Sequence, residues 1–224
     1  MSIGLLEANK LADAFVYWQV TRGTPRVTGA TALELRARAP KSGALRATVV
    51  GYATALPPLS EYVEPRTRSA FVRQDDRWHR GHVKAISLMG GVLAAYEAHE
   101  AGAEEPILIR DGVVTEGVAT NVLAVIDGEV RTPPVGGGRL LEGVTRRLLL
   151  EAEPGIRVAP ISENELRRAS ELMLVGSATM LVSVTTLDGR PVGDGRPGPE
   201  SRRLLAALVG AIERDVAARQ PRRA

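Results

Sequence analysis

Three stretches of this sequence carry residue types with chemical reach: one around Lys84, one around Glu116 and one around Thr145. Lys84 is one of only three lysines in a chain dominated by arginine; the others are Lys10 and Lys41. It follows Arg77-Trp78-His79-Arg80-Gly81-His82-Val83 and precedes an apolar helical pattern. A cation near a helix N-terminus has the wrong sign for the macrodipole. Lysine, unlike arginine, can shed its proton and form a Schiff base. The ordinary alternative is a solvated lysine at a helix start. Lys10 lies on a polar helix face and Lys41 in a Pro/Ser/Gly loop, settings without such features. Glu116 stands between the β-rich Val113-Val114-Thr115 and the small-residue run Gly117-Val118-Ala119-Thr120-Asn121. Glu116 could be a turn residue, while the small and hydroxylic residues after it, followed by Asn121, are what a backbone cradle for an anion needs. Gly136-Gly137-Gly138 leads through Arg139–Gly143 to Val144-Thr145-Arg146 and a helix whose first amides suit a phosphate. Each stretch taken alone is also a common structural feature.

Composition removes several chemistries. The chain has no cysteine, which excludes disulfides, thiol nucleophiles and cysteine metal sites. Its histidines are His79, His82 and His99, a spacing that does not suggest zinc. Aromatic residues are 4% of the 224, too few for a base-stacking surface. The net charge is +3, and much of the excess sits in Arg219-Gln220-Pro221-Arg222-Arg223-Ala224, which reads as a solvated end. No apolar run approaches the roughly 18 residues of a membrane span. The N-terminus lacks the basic and apolar regions of a signal peptide, so cytoplasm is the expected location.

The elements that must position those residues follow from periodicity and turn signals. A short helix over residues 4–14 precedes a strand over Phe15–Thr21, and a second strand covers Leu45–Tyr52. Ala55-Leu56-Pro57-Pro58-Leu59 is a rigid connector and marks a domain boundary. Beyond it, a strand at Thr67–Arg73 is followed by a helix from Ala85 to Ala101, with Leu88, Val92, Leu93 and Tyr96 at helical spacing. Short strands follow at Pro106–Arg110, Val113–Thr115, Val122–Ile126 and Val130–Thr132, linked by the Asp111-Gly112 and Asp127-Gly128 turns. Helices at Thr145–Ala152 and Glu163–Ala169 precede strands at Glu171–Val175 and Leu181–Leu187. A third Asp-Gly turn at Asp188-Gly189 and a helix over Pro199–Ala218 end the pattern. Strands and helices mix without a βαβ rhythm, so the fold class is α+β.

The motifs, in this order and spacing, resemble the class IV (fold-type IV) pyridoxal-phosphate-dependent aminotransferases, and among them the D-amino-acid type. The motifs are Gln19-Val20-Thr21-Arg22-Gly23, Val83-Lys84, Thr115-Glu116-Gly117 with Asn121-Val122, Leu141-Glu142-Gly143-Val144-Thr145-Arg146, and Asp188–Gly195. The resemblance runs from about Leu5 to about Leu208. It implies a D-amino-acid aminotransferase-like fold and pyridoxal 5'-phosphate as cofactor. It also implies a homodimer that moves an amino group from a small D- or branched-chain amino acid to a 2-oxo acid. By the same resemblance Lys84 forms the internal aldimine and shuttles the proton, and Glu116 faces the pyridine nitrogen. Leu141 packs on the ring, Asn121 belongs to the cofactor site, and Val144, Thr145 and Ser177 hold the phosphate. Arg26 grips the substrate carboxylate across the dimer interface, and Trp78 and Arg80 frame the site. An aminodeoxychorismate-lyase-like C–C lyase or a catalytically impaired remnant are the alternatives; the Asp188–Gly195 segment is more transferase-like.

Two departures from the family pattern stand out. Thr28 replaces the histidine that follows the carboxylate-gripping arginine in the D-amino-acid enzymes. No residue here matches the family's phosphate-binding arginine, which lies in a small-domain segment that would precede Met1. The expected organisation is therefore a remnant of the N-terminal small domain over residues 1–57, a complete C-terminal cofactor-binding domain over 58–215, and a basic flexible tail over 216–224.

Overall fold

The structure is a computed structural model that describes residues 2–25 and 45–219. Its chain divides into two compact units, Met1–Pro58 and Leu59–Ala224.

The first unit is thin. Helix α1 (Ser2–Asn9) leads to β1 (Ala14–Val20), which pairs antiparallel with β4 (Val49–Ala55) from Ala14↔Ala55 to Val20↔Val49. The short strands β2 (Thr24–Pro25) and β3 (Leu45–Arg46) pair beside them. The helix is shorter than the expected 4–14. The single strand expected over Leu45–Tyr52 is broken at Ala47-Thr48, where Thr48 leaves the ladder to donate its amide to Thr21 Oγ1. Tyr17 and Tyr52 stack across the β1–β4 pair at 5.1 Å. Gly51 is required opposite Trp18, because a Cβ there would lie 2.3 Å from the indole. None of the described side chains of this unit is fully buried.

The second unit is built on a nine-stranded sheet. After a 3-10 turn at Leu59–Glu61, its strands are β5 (Arg66–Gln74), β6 (Glu105–Arg110), β7 (Val113–Gly117), β8 (Asn121–Ile126), β9 (Glu129–Thr132), β10 (Arg157–Val158), β11 (Glu171–Gly176), β12 (Met180–Leu187) and β13 (Arg190–Pro191). The pairing order is β10-β9-β8-β11-β12-β5-β6-β7, with β13 on β12. β5 is parallel to both β6 and β12, while most other pairs are antiparallel. Although β7 ends this order and β8 lies toward its other end, the link Val118–Thr120 joins them directly. Gly117 donates its amide to the Thr120 carbonyl across that link. A sheet with such a connection has to curl. The register shifts between Ile107 and Ile109 and between Val184 and Thr186 supply local twist.

Each Asp-Gly turn has both residues at positive φ: Asp111 54° and Gly112 74°, Asp127 51° and Gly128 79°, Asp188 49° and Gly189 73°. This backbone matches the right-handed twist of the strands it joins. The central strands are buried on both faces, so they read as continuous apolar runs rather than alternating ones. In β8, Val122, Ala124 and Ile126 enter one core cluster with Ile107 and Leu174, while Leu123 and Val125 enter a second with Leu149, Leu204 and Leu208. The second cluster lies between the sheet and helices α3 (Val144–Ala152) and α5 (Pro199–Arg219). Helix α4 (Glu163–Arg167), shorter than the expected Glu163–Ala169, starts in a capping box between Ser162 and Glu165. α5 continues through residues 216–219, the start of the expected tail; residues 220–224 lie outside the described residues.

Helix α2 (Met89–Glu100) departs most from expectation. It begins at Met89 instead of Ala85, and residues 81–88 form an irregular loop. Its first helical bond runs from the Val92 amide to the Leu88 carbonyl. The helix buries its small residues Ala94 and Ala98, and a Cβ at Gly90 would press on Arg77 at 3.1 Å. The large apolar positions Leu88, Met89, Val92, Leu93 and Tyr96 are exposed, Tyr96 to 65%. A stripe that reads as a core face by spacing points to solvent here. Among the described residues no helix is long and apolar enough to cross a membrane, and no acidic, histidine or cysteine cluster could hold a metal ion.

Candidate functional site

The curl brings the end of β7 and the start of β8 against the loops before α2 and α3. Between them lies a cavity of about 400 Å³, within the usual range for small-molecule sites. Lys84, Glu116, Asn121, Leu141, Val144, Thr145 and Ser177, the residues singled out in the sequence, all line it. Arg26, singled out for the substrate carboxylate, lies outside the described residues, as do Thr28 and Lys41. Lys10 follows α1 in the first unit, at a positive φ of 55°.

Glu116 forms the buried wall, with 5% of its surface exposed. Its Oε1 accepts from Arg77 Nη1 at 2.8 Å, and its Oε2 accepts from the Leu141 amide at 3.0 Å and from Asn121 Nδ2 at 3.4 Å. Burial pushes this carboxyl above the usual range, against the pull of Arg77 and the Leu141 amide. Asn121 donates from the same nitrogen to the Leu141 carbonyl at 2.9 Å, and so ties the loop before α3 to β8. Asn121 therefore shapes the site as much as it lines it.

Behind Glu116 stands a set of charges that the sequence did not single out. Arg77 Nε and Nη2 donate to Asp75 Oδ1 and Oδ2 at 2.8 and 3.0 Å, a bidentate pair. Thr115 Oγ1 donates to Asp75 Oδ2 at 2.9 Å, and Arg110 Nη2 lies 3.1 Å from Asp75 Oδ1. Arg110 also donates to the carbonyls of Asp75 and Arg77. Burial pushes the Asp75 carboxyl up, but Arg77, Thr115 and Arg110 outweigh it and hold the group below its ordinary value. The alternation of acid and base in Asp75-Asp76-Arg77 was the visible signal. Its partners lie more than 30 positions away along the chain, and spacing does not reveal them.

The opposite wall is the loop carrying Lys84, and Lys84 itself is exposed. Because α2 starts five residues later, Lys84 is not at a helix N-terminus, and the macrodipole argument drawn from sequence does not apply. The loop is held elsewhere. The Gly81 amide donates to the Gly138 carbonyl at 2.7 Å, and a Cβ at Gly81 would sit 2.6 Å from the Arg139 carbonyl. Gly137 and Gly138 adopt positive φ of 58° and 72°. The Gly-rich segment is thus the seat of the lysine loop and does not itself line the cavity.

The third side is the start of α3. Gly143 precedes it in an extended conformation with no side-chain cap, and its first turn has no acidic residue. The first helical bond is the Arg147 amide to the Gly143 carbonyl at 3.0 Å. The open amides of Val144 and Thr145 and the dipole favour an anion at this end. Glycines let the walls approach: a Cβ would lie 2.1 Å from Asn121 Oδ1 at Gly143, 2.2 Å from Thr120 Oγ1 at Gly117 and 3.1 Å from the Ala119 carbonyl at Gly176. Thr120 Oγ1 is buried without a hydrogen-bond partner among the described residues.

This donor set suits one kind of group. A primary amine suits an aldehyde, a buried carboxylate suits a protonated ring nitrogen, and an uncapped helix start with a threonine hydroxyl suits a phosphate. Pyridoxal phosphate carries all three, and the residues present fit it.

Comparison with known proteins agrees. The family model for class IV amino-transferases matches residues 4–187. The D-alanine aminotransferase of Bacillus licheniformis is 32% identical over 215 residues, covering 93% of this chain and 71% of the relative. That of Listeria monocytogenes serotype 1/2a is 31% identical, covering 94% and 71%. Among solved structures, the Escherichia coli branched-chain amino acid aminotransferase aligns with a TM-score of 0.75 at 24% identity, over 92% of this chain and 68% of that one. The branched-chain enzyme of Thermobaculum terrenum, solved in its pyridoxal-phosphate form, aligns with a TM-score of 0.77 at 19% identity, over 95% and 70%. These structures share the fold, and they differ from the sequence relatives in named substrate. The chain belongs to the class IV aminotransferases, the pyridoxal-phosphate-dependent family that works on amino acids and 2-oxo acids.

Proposed function

We propose that this chain transfers the amino group of a small amino acid, of the D-alanine or the branched-chain type, to a 2-oxo acid, with Lys84 as the reacting amine. The observation that carries the reading is that Lys84, Glu116 and the open start of α3 line one cavity. Pyridoxal phosphate, when bound, supplies an electron sink for the bond broken at the substrate α-carbon. Lys84 would bind the cofactor's aldehyde covalently and, as the free amine, would carry the proton from the substrate α-carbon to the carbon that bore the aldehyde. Glu116, fixed as an acceptor by Arg77, Leu141 and Asn121, would hold the proton at the pyridine nitrogen. Leu141 would pack on the ring. The amides of Val144 and Thr145, with the hydroxyls of Thr145 and Ser177, would bind the phosphate, and Arg26 would take the substrate carboxylate across the dimer interface. The test is direct. The purified chain, supplied with pyridoxal phosphate, is given D-alanine or L-leucine together with 2-oxoglutarate. Glutamate formation from either donor supports the reading and identifies the donor class. Repeated pyruvate release from aminodeoxychorismate without an acceptor, well beyond one per cofactor, would turn it to a lyase.

The same reading includes a homodimer. Leu88 and Gly91 line the cavity, and the exposed side chains Met89, Val92, Leu93 and Tyr96 continue from them along α2. A contiguous apolar face of this kind marks an association surface, and a second copy seated there would close the cavity mouth. Sedimentation should give a dimer, and Leu93→Glu should give a monomer. A monomeric wild-type chain would remove this part of the reading.

A further inference from the structure

Glu116 has a task that burial opposes. A carboxylate taken out of water prefers to be neutral, yet an acceptor for a ring N–H must stay ionised. The groups around it are Arg77 and Asp75 from the segment after β5, Arg110 from β6 behind them, the Leu141 amide and Asn121, and, around the cavity, Lys84 and Glu142. Arg77 is the one cation in contact with the carboxylate among the described residues. It is also not free to turn. Its Nε and Nη2 are engaged by Asp75, whose carboxylate has no exposed surface and is further held by Thr115 and Arg110. That leaves Nη1, directed at Glu116 Oε1.

The charges of this group also balance. Asp75 and Glu116 are offset by Arg77 and Arg110. Protonating Glu116 would leave an uncompensated positive charge inside the protein, and removing Arg77 would leave an uncompensated negative one that is relieved by proton uptake at Glu116. Charges of this kind are kept only as a set.

We propose that Arg77, locked by Asp75, is a positioning residue that keeps Glu116 ionised and in a single orientation toward the cavity. It borders the cavity beside Glu116 and acts on the chemistry through that carboxylate. The inference rests on the reading of Glu116 given above, and the two can fail separately.

The experiment follows the protonation of Glu116 directly, by isotope-edited infrared spectroscopy of its carboxyl across pH, with Glu116→Gln to assign the band. It is run on the chain with and without pyridoxal phosphate. In Arg77→Gln the titration midpoint of Glu116 should rise by about one pH unit or more, a tenfold gain in proton affinity. Turnover at neutral pH should fall, while borohydride still traps the cofactor on Lys84. Arg77→Lys should recover most of the shift. Asp75→Asn should move the midpoint the other way, because it removes a negative neighbour and leaves Arg77 charged. A role limited to holding the fold predicts no opposed shifts. An unchanged midpoint in folded Arg77→Gln overturns the proposal. If that variant does not fold, the lack of a downward shift in Asp75→Asn overturns it. Should Glu116→Gln keep full turnover with cofactor bound, the role assigned to Glu116 fails even where the coupling to Arg77 is measured. Should it lose turnover while Arg77→Gln titrates and turns over as wild type, the positioning role alone fails.

Discussion

The two walls of the cavity are built on opposite plans. Glu116 sits at the end of a sheet strand, buried, with both oxygens bonded and a second layer of charges behind it. Lys84 sits on an exposed loop that has no regular structure, tied at Gly81 to the Gly138 carbonyl. The difference matches the work proposed for each. A charge that must be constant is best fixed by a rigid, water-excluded scaffold, where it costs no reorganisation at the moment of reaction. An amine that must bond, release and carry a proton needs room and changing partners, which loops provide.

The largest expected effect comes from removing the reactive side. Lys84→Ala should abolish turnover and borohydride labelling with pyridoxal phosphate. Its stability should stay within about 0.5 kcal/mol of wild type, because the residue is exposed. Peptide mapping that finds the label on Lys10 or Lys41 would move the reactive amine elsewhere. Next is the fixed side. Glu116→Gln should still be labelled at Lys84 but turn over about 10²–10³-fold more slowly, the usual scale for losing one preorganised electrostatic group. Wild-type turnover with cofactor bound would take Glu116 out of the chemistry.

A third expectation separates the walls by stability. Asp75→Asn should cost about 3 kcal/mol at neutral pH, since it leaves Arg77 and Arg110 under-compensated in the interior. Asp75 is held below its ordinary value of 3.8. Its contribution is therefore complete above that pH and is lost as pH falls through the lower, folded value. Urea titrations of the two proteins should differ fully at neutral pH and converge in strong acid; a gap that does not depend on pH would count against the ionised pair. The smallest effect expected is from Gly81→Ala, whose Cβ would press on the Arg139 carbonyl and shift the lysine loop. Displacement of a reacting group by a fraction of an ångström gives roughly a tenfold fall in turnover. The Glu116 infrared band should be unmoved, and a changed band would mean that the walls are mechanically coupled.

Sequence made one wall more legible than the other. The strands carrying Glu116 and Asn121 are long apolar runs bounded by Asp-Gly turns, and local chemistry dictates both. The open α3 start was visible because Gly143 stands ahead of a regular amphipathic helix. The charged layer behind Glu116 was not, since Asp75, Thr115 and Arg110 meet only through the pairing of β5, β6 and β7. Nor was the true start of α2: the sequence pattern carries no break between Ala85 and Leu88, whereas the first helical bond is from the Val92 amide to the Leu88 carbonyl. Periodicity put Val92, Leu93 and Tyr96 at helical spacing, and the structure leaves them exposed. It reports that a face is apolar, not what covers that face.

The glycines at the cavity edges set limits on how this site can change. At Gly117 and Gly143 a methyl group would lie near 2 Å from Thr120 Oγ1 and Asn121 Oδ1, so a side chain there requires those groups to turn, and at Gly143 that would disturb the bonds of Asn121 to Glu116 and Leu141. Val118 is different: it lines the cavity, and a Cβ added at the facing Gly91 would meet its side chain at an ordinary 3.6 Å. A library that randomises the whole pocket would displace Thr120 and Asn121 together with the pocket's shape. One restricted to Val118, Ala119 and Gly91 would vary the shape of the pocket and leave the machinery that binds the cofactor in place.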